Sequence, residues 1–204
     1  MFDRVAIKHR AKAAFQSQYG ISVGALALFW LILVAASTVT FGIGTLLLAP
    51  PMLVGYASFC LRVYKGEQGD ISDMFTAGFA DYGRNLGGIL WMYLFTSLWT
   101  LLFIVPGIVK AIAYSMTQYI LTDCPNVEPT EALKLSMRMT NGHKGGLFVM
   151  FLSFIGWWLL SGLTFGILGL LYVGPYYATS FAGVYVDLKH KALETGVIRA
   201  EELA

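Results

Sequence analysis

Residues 21–41 read ISVGALALFWLILVAASTVTF and, after Gly42, residues 43–61 read IGTLLLAPPMLVGYASFCL. Neither stretch holds a charged side chain, and each is near the ~17–25 residues an α-helix needs to cross a ~30 Å hydrocarbon core. A single glycine between them leaves room only for a tight turn. The pair therefore reads as a helical hairpin in a bilayer. The apolar-out, polar-in alternation of lipid-facing strands is missing, which excludes a β-barrel.

Four further apolar runs follow at 86–105, 107–122, 146–163 and 165–186; only 107–122 is short, and it follows Pro106-Gly107. Of the 204 residues 57% are hydrophobic and 13% charged, with a mean hydropathy of +0.65. A soluble domain carries roughly 25% charged residues, so this chain has too little polar surface to cover a water-soluble globule. The links after runs one, three and five are tiny and uncharged: Thr40-Phe41-Gly42, Val105-Pro106-Gly107 and Thr164-Phe165-Gly166. Those after runs two and four, about 62–85 and 123–145, are long and polar. The fold expected is an all-α membrane protein in which six transmembrane helices form three hairpins.

Thirteen of the 14 Lys and Arg residues, and all 12 acidic ones, lie in the N-terminal segment, the two long links or the C-terminal tail. The positive-inside rule then places both termini and both long links in the cytoplasm. The basic N-terminal segment resembles the start of a signal peptide, but the run after it is too long and lacks a small-residue cleavage site, so it reads as the first anchor.

The chain reads as one polytopic domain over 1–204, with hairpin units at about 1–65, 70–123 and 128–190 and a cytoplasmic tail at 191–204. Thr40-Phe41-Gly42-Ile43 recurs as Thr164-Phe165-Gly166-Ile167, and Leu46, Leu47 and Pro51 match Leu170, Leu171 and Pro175 at the same offset. An internal duplication explains that pattern. Whether 40–51 and 164–175 re-enter the membrane is open at this level.

Each hairpin follows a short amphipathic stretch. In 4–15, Ile7, Ala11, Ala14 and Phe15 oppose Arg4, Lys8 and Lys12. In 73–82, Phe75, Phe79 and Tyr82 share a face behind an Asp70 N-cap. In 129–141, Glu131, Lys134, Arg138 and Asn141 form a stripe opposite Ala132, Leu133, Ser136, Met137 and Thr140, with Pro129 at the start and Gly142 at the stop. Such helices either lie among lipid headgroups or pack on the cytoplasmic end of the bundle.

No Asp, Glu or His falls inside any run. Proton- and cation-coupled transporters use such a group at membrane depth, so a proton-coupled pump is not expected. No catalytic residue, metal site or cofactor is expected either, since the spans hold no paired carboxylates, no nucleophile–base pair and no ligand set. Cys60 and Cys124 stand far apart, without disulfide or zinc spacing, and a net charge of +2 argues against a nucleic-acid surface.

Lys110, four residues past Pro106, either snorkels to the outer headgroups or faces an outward cleft that takes a phosphate or carboxylate. Ser115, Thr117 and Gln118 interrupt the fourth run as candidate interhelical hydrogen bonders, helped by the small residues Gly55, Ala57, Ala111 and Ala113. Lys110, Gln118 and Tyr177 are the candidate ligand-binding residues.

The stretch from Ile104 to Asp123, IVPGIVKAIAYSMTQYILTD, resembles a signature of a bacterial integral membrane family of unknown function, domain of unknown function number nine hundred and seventy-five. EALKLS at 131–136, NGHK at 141–144 and LSFIGWW at 152–158 resemble its second signature, and PYYATS at 175–180 its third. Glu128 departs from the pattern, standing before Pro129 where relatives place a better cap. The resemblance implies this same topology, a place in the bacterial cytoplasmic membrane, and a distant relation to membrane domains that accompany lipid-headgroup phosphodiesterases. It carries over no catalytic or binding residue.

The function expected is a non-enzymatic membrane component that acts through membrane lipids, or through a protein partner at its cytoplasmic face, in envelope homeostasis. The alternative is a small transporter or channel for a neutral, lipid-like or anionic solute, lined by the proline sites and Lys110. A polar cavity at mid-membrane depth favours transport or lipid binding. A closed apolar core favours a protein partner.

Overall fold

The computed structural model describes residues 2–203, and no strand occurs among them. Ten α-helices follow in order: α1 (Arg4–Ser17), α2 (Tyr19–Val39), α3 (Ile43–Lys65), α4 (Ile71–Phe79), α5 (Tyr82–Leu102), α6 (Ile104–Tyr114), α7 (Thr117–Asp123), α8 (Pro129–Thr140), α9 (Lys144–Leu163) and α10 (Gly174–Glu194). A π-turn at Gly169–Val173 runs into α10, and a short 3₁₀ turn at Ala200–Leu203 ends the chain. Five helical stretches are long and apolar enough to cross a membrane: α2, α3, α5, α6 with α7, and α9. That is consistent with a multi-pass membrane protein. The sixth apolar run is helical without a gap from residue 167 into α10. Neither 40–51 nor 164–175 forms a separate loop, because each short turn passes directly into the helix that follows.

The two Thr-Phe-Gly turns share one geometry. Phe41 and Phe165 sit at φ 52° and 50°, followed by Gly42 at 93° and Gly166 at 84°. The Thr40 Oγ1 accepts from the Gly44 N–H at 2.6 Å, and the Thr164 Oγ1 from the Leu168 N–H at 3.2 Å. Gly42 N–H donates to Ser37 and Gly166 N–H to Ser161, each five residues back. A left-handed C′ glycine with this bond closes a helix by satisfying its last carbonyls. The middle turn differs from the expected Val105-Pro106-Gly107. The chain reverses at Phe103 alone (φ −155°, ψ 134°), and Pro106 already lies in the first turn of α6. A proline is tolerated there because its missing N–H would have no helical partner. Gly107 lets α6 close on Thr100 of α5, whose Cα would stand 2.7 Å from any added Cβ.

The centre of the molecule is α3, with more than half of its residues buried. α4 lies on it through Gly55 and Gly78. A Cβ on Gly55 would overlap the Met74 carbonyl, and one on Gly78 would sit 2.5 Å from the Pro51 oxygen. Pro50 and Pro51 are buried inside the continuous α3. At the ends of α3, α7 and α10, Asp123 takes Lys189 at 2.5 Å, Lys65 at 3.6 Å and the Tyr185 hydroxyl at 2.9 Å. Arg62 ties α3 to α4 through Asp73 at 2.5 Å. The Arg84 guanidinium satisfies the carbonyls of Leu121, Cys124 and Val127 at 2.5–2.9 Å, closing the end of α7.

Two of the amphipathic stretches, α1 and α8, turn their apolar faces to protein. α1, capped by Asp3, buries Ile7, Ala11 and Phe15 and packs on α10 and α3. Its Lys8 reaches Ser153 Oγ at 3.2 Å and stands 4.6 Å above the Phe154 ring, and Arg10 lies 4.9 Å above Tyr64. Burial holds the Lys8 ammonium below the usual lysine range. Asp70 caps α4 as expected, with Asp73 completing a capping box. The buried face of α4 is Met74 and Gly78, however, while Phe79 and Tyr82 remain exposed and stacked. Close backbone approach at Gly78, rather than the larger aromatic face, decides which side packs. α8 begins at Pro129 without a side-chain cap from Glu128 and buries Leu135 and Met139 beside the expected Ala132, Leu133, Ser136 and Thr140.

Candidate functional site

Halfway along the helices, α5, α6, α7, α9 and α10 wall a cavity of about 550 Å³, with Leu53 of α3 behind it. Met92, Ile112, Phe151 and Tyr177 lie near the middle of their helical stretches, so the cavity sits at the depth of an apolar membrane core. Its rim on α5, α6 and α9 is exposed (Tyr93, Ile108, Ala111, Phe148), while Ile112, Tyr119 and Phe181 are buried behind. The opening faces sideways, among exposed apolar helix faces.

Several polar groups interrupt this mostly apolar lining, all of them neutral: Tyr93, Thr96, Ser115, Gln118, Tyr119 and Tyr177. The Ser115 hydroxyl donates to Ile112 at 2.8 Å and Tyr119 to Ala178 at 3.3 Å. The Gln118 amide lies within hydrogen-bonding reach of the Tyr119 hydroxyl, and among the described residues the Tyr177 hydroxyl makes no hydrogen bond to protein. Two of the three candidate ligand-binding residues, Gln118 and Tyr177, thus share one cavity.

The third does not join them. Lys110 lies in the seventh position of α6, about 9 Å along at 1.5 Å per residue. Its ammonium stands 3.7 Å from the Met137 sulfur of α8, 5.2 Å over the Trp99 ring and 5.7 Å over Tyr114. It does not line the cavity. Aromatic faces take the cation instead. The residues that do line the cavity beside Gln118 and Tyr177, such as Leu53, Thr96 and Phe181, carry no signal in a sequence already rich in apolar and aromatic residues.

The cavity wall contains a broken helix. The helical ladder lapses at Ser115–Met116, between α6 and α7. Ser136 of α8 repairs the gap: its hydroxyl accepts from the Met116 N–H at 3.2 Å and donates to the Ala113 carbonyl at 2.7 Å. Ser115 and Thr117 do not make the expected interhelical bonds, since Ser115 bonds within its own helix and the buried Thr117 hydroxyl has no partner. α8 is held from its other side by the tail. Arg138 grips Glu202 through two nitrogens at 2.6 and 3.1 Å and also donates to the Val197 carbonyl. The Arg138 bond and the Arg199 N–H hold the Glu202 carboxyl down to about 2.

Cys60 and Cys124 are free and buried, and no group of three or more metal-ligating side chains occurs among the described residues. No curated protein and no solved structure matches the chain. A family model does match, over residues 89–192, which span α6 to α9, most of α5 and α10, and all the cavity's walls but Leu53. The chain belongs to that family, described as protein of unknown function (DUF975).

Proposed function

We propose that the protein is a non-enzymatic component of the bacterial cytoplasmic membrane that takes a lipid-like molecule sideways into this cavity, in the service of lipid or envelope homeostasis. The observation that carries the reading is a laterally open, largely apolar cavity at mid-helix depth with a few neutral polar groups, the usual make-up of a small-molecule site. On this reading the chain crosses the membrane six times as three hairpins, each preceded by an amphipathic helix at the cytoplasmic side, and both termini are cytoplasmic. The unbroken helix from residue 167 into α10 supports the sixth crossing, and the basic residues gathered at one side support the orientation. The matching Thr-Phe-Gly turns support a duplicated hairpin. A protein partner would meet the exposed stripe of α8 at Glu131 and Lys134.

Ala111→Trp fills the mouth of the cavity without touching the core of the bundle, because Ala111 is exposed at the rim. In proteoliposomes carrying a photoactivatable acyl-chain probe, crosslinks in the unmodified protein concentrate on the cavity walls, and Ala111→Trp removes them. Labelling spread evenly over all exposed helix faces, and unchanged by Ala111→Trp, would falsify the reading. The alternative, a small transporter for a neutral or lipid-like solute, draws on the broken helix at Ser115–Met116, since discontinuous helices line transporter sites. Movement of a solute across liposomes by the purified protein alone favours it over a holding role.

A further inference from the structure

The composition of the cavity says which lipids it admits. Its lining includes no Lys, Arg, His, Asp or Glu. The nearest basic residue along α6, Lys110, is turned to Trp99, Tyr114 and Met137 instead. A phosphate or carboxylate brought here would leave water with no cation to meet it, a large cost at membrane depth. A neutral head meets no such cost. It also finds partners: the Gln118 amide, with one N–H directed at the Tyr119 hydroxyl, keeps a donor and its carbonyl acceptor, and the Tyr177 hydroxyl offers one donor and two acceptors. Ser115 and Tyr119 are already committed to backbone carbonyls. These polar groups lie at mid-helix depth, where an interfacial phospholipid would place only its chains. Volume narrows the choice further. At about 550 Å³ the cavity is the size of a site for one drug-sized ligand, enough for a single chain with its head.

We infer that the cavity selects a single-chain lipid with an uncharged, hydroxyl-type head, which hydrogen-bonds to Gln118 and Tyr177 while its chain lies against Leu53, Phe151 and Phe181. This rests on the lipid-holding reading above. The test uses the full chain in proteoliposomes with three diazirine probes of one chain length: hexadecanol, hexadecyl phosphate and hexadecane. The alcohol labels the cavity walls at least about tenfold more than either of the others, and Gln118→Leu with Tyr177→Phe lowers alcohol labelling about tenfold, the scale of a lost hydrogen bond in an apolar site. Equal labelling by the phosphate overturns the charge selection, and equal labelling by the alkane overturns the role of Gln118 and Tyr177. In both of those results the lipid-holding reading stands. Absence of cavity labelling by all three probes overturns the reading itself, and the inference with it. The comparison of probes on the unmodified chain decides these outcomes even where the double variant fails to fold.

Discussion

Gly55 and Gly78 show what a single residue sets in this protein. With no side chains between them, the backbones of α3 and α4 meet directly, and a Cβ on Gly55 would overlap the Met74 carbonyl. That neighbour is backbone and has no rotamer to yield, so Gly55→Ala forces the two helices apart and costs roughly 3 kcal/mol or more. Thermal unfolding in detergent reads the loss. Gly20→Ala, with open space around it, is the control and leaves the midpoint within a degree or two of the parent. The sequence marks Gly55 as a small residue suited to packing but does not name its partner. Gly78 lies 23 positions away on a helix whose packed face periodicity alone assigned to Phe75, Phe79 and Tyr82.

At the scale of elements, α8 joins the tail to the cavity wall. Its Ser136 bridges the break between α6 and α7, and its Arg138 holds Glu202. The Glu202 carboxyl, held near 2 against an ordinary 4.5, gives this clasp a defined pH response. A carboxylate depressed by folding contributes fully above its ordinary value and loses that contribution as pH falls toward the depressed one. Protection of the amides at residues 197–203, corrected for their intrinsic exchange rates, is therefore constant at neutral pH and falls as pH drops from about 4.5 toward about 2. Glu202→Gln loosens the tail at neutral pH and removes the dependence. An unchanged profile in Glu202→Gln would assign the response to another group. Pro129 and Gly142 mark the bounds of α8 in the sequence. Its seat on the helix break is not marked there, because the break itself follows from packing and not from a proline or glycine.

For the whole molecule the sharpest prediction concerns sidedness. Phe41 and Phe165 stand 97% and 98% exposed at the tips of their turns, and Glu201 is exposed in the tail. On the proposed orientation, a membrane-impermeant maleimide labels Phe41→Cys and Phe165→Cys in intact cells, and labels Glu201→Cys only after the membrane is opened. The native Cys60 and Cys124 are buried and add little background. Labelling of Glu201→Cys in intact cells, with both tips protected, reverses the topology. Tips labelled from opposite sides would remove one of the crossings between them.

The sequence by itself determined the helical membrane class, the tight turns at 40–42 and 164–166, and the caps at Asp70, Pro129 and Gly142. Those features depend on how long an apolar run is, where charge lies along the chain, and which residues the backbone tolerates locally. They are properties of one dimension. Only the tertiary structure decided that the middle turn falls at Phe103, that α1 and α8 turn their apolar faces to protein, and that α4 packs through Met74 and Gly78 instead of its aromatic face. It also decided that Lys110 points to α8 while Gln118 and Tyr177 share a cavity. Each of these depends on which surface of a nearly all-apolar helix meets which neighbour. In such helices every face is apolar enough for either lipid or protein, so periodicity does not separate them, and close backbone contacts and aromatic packing make the choice.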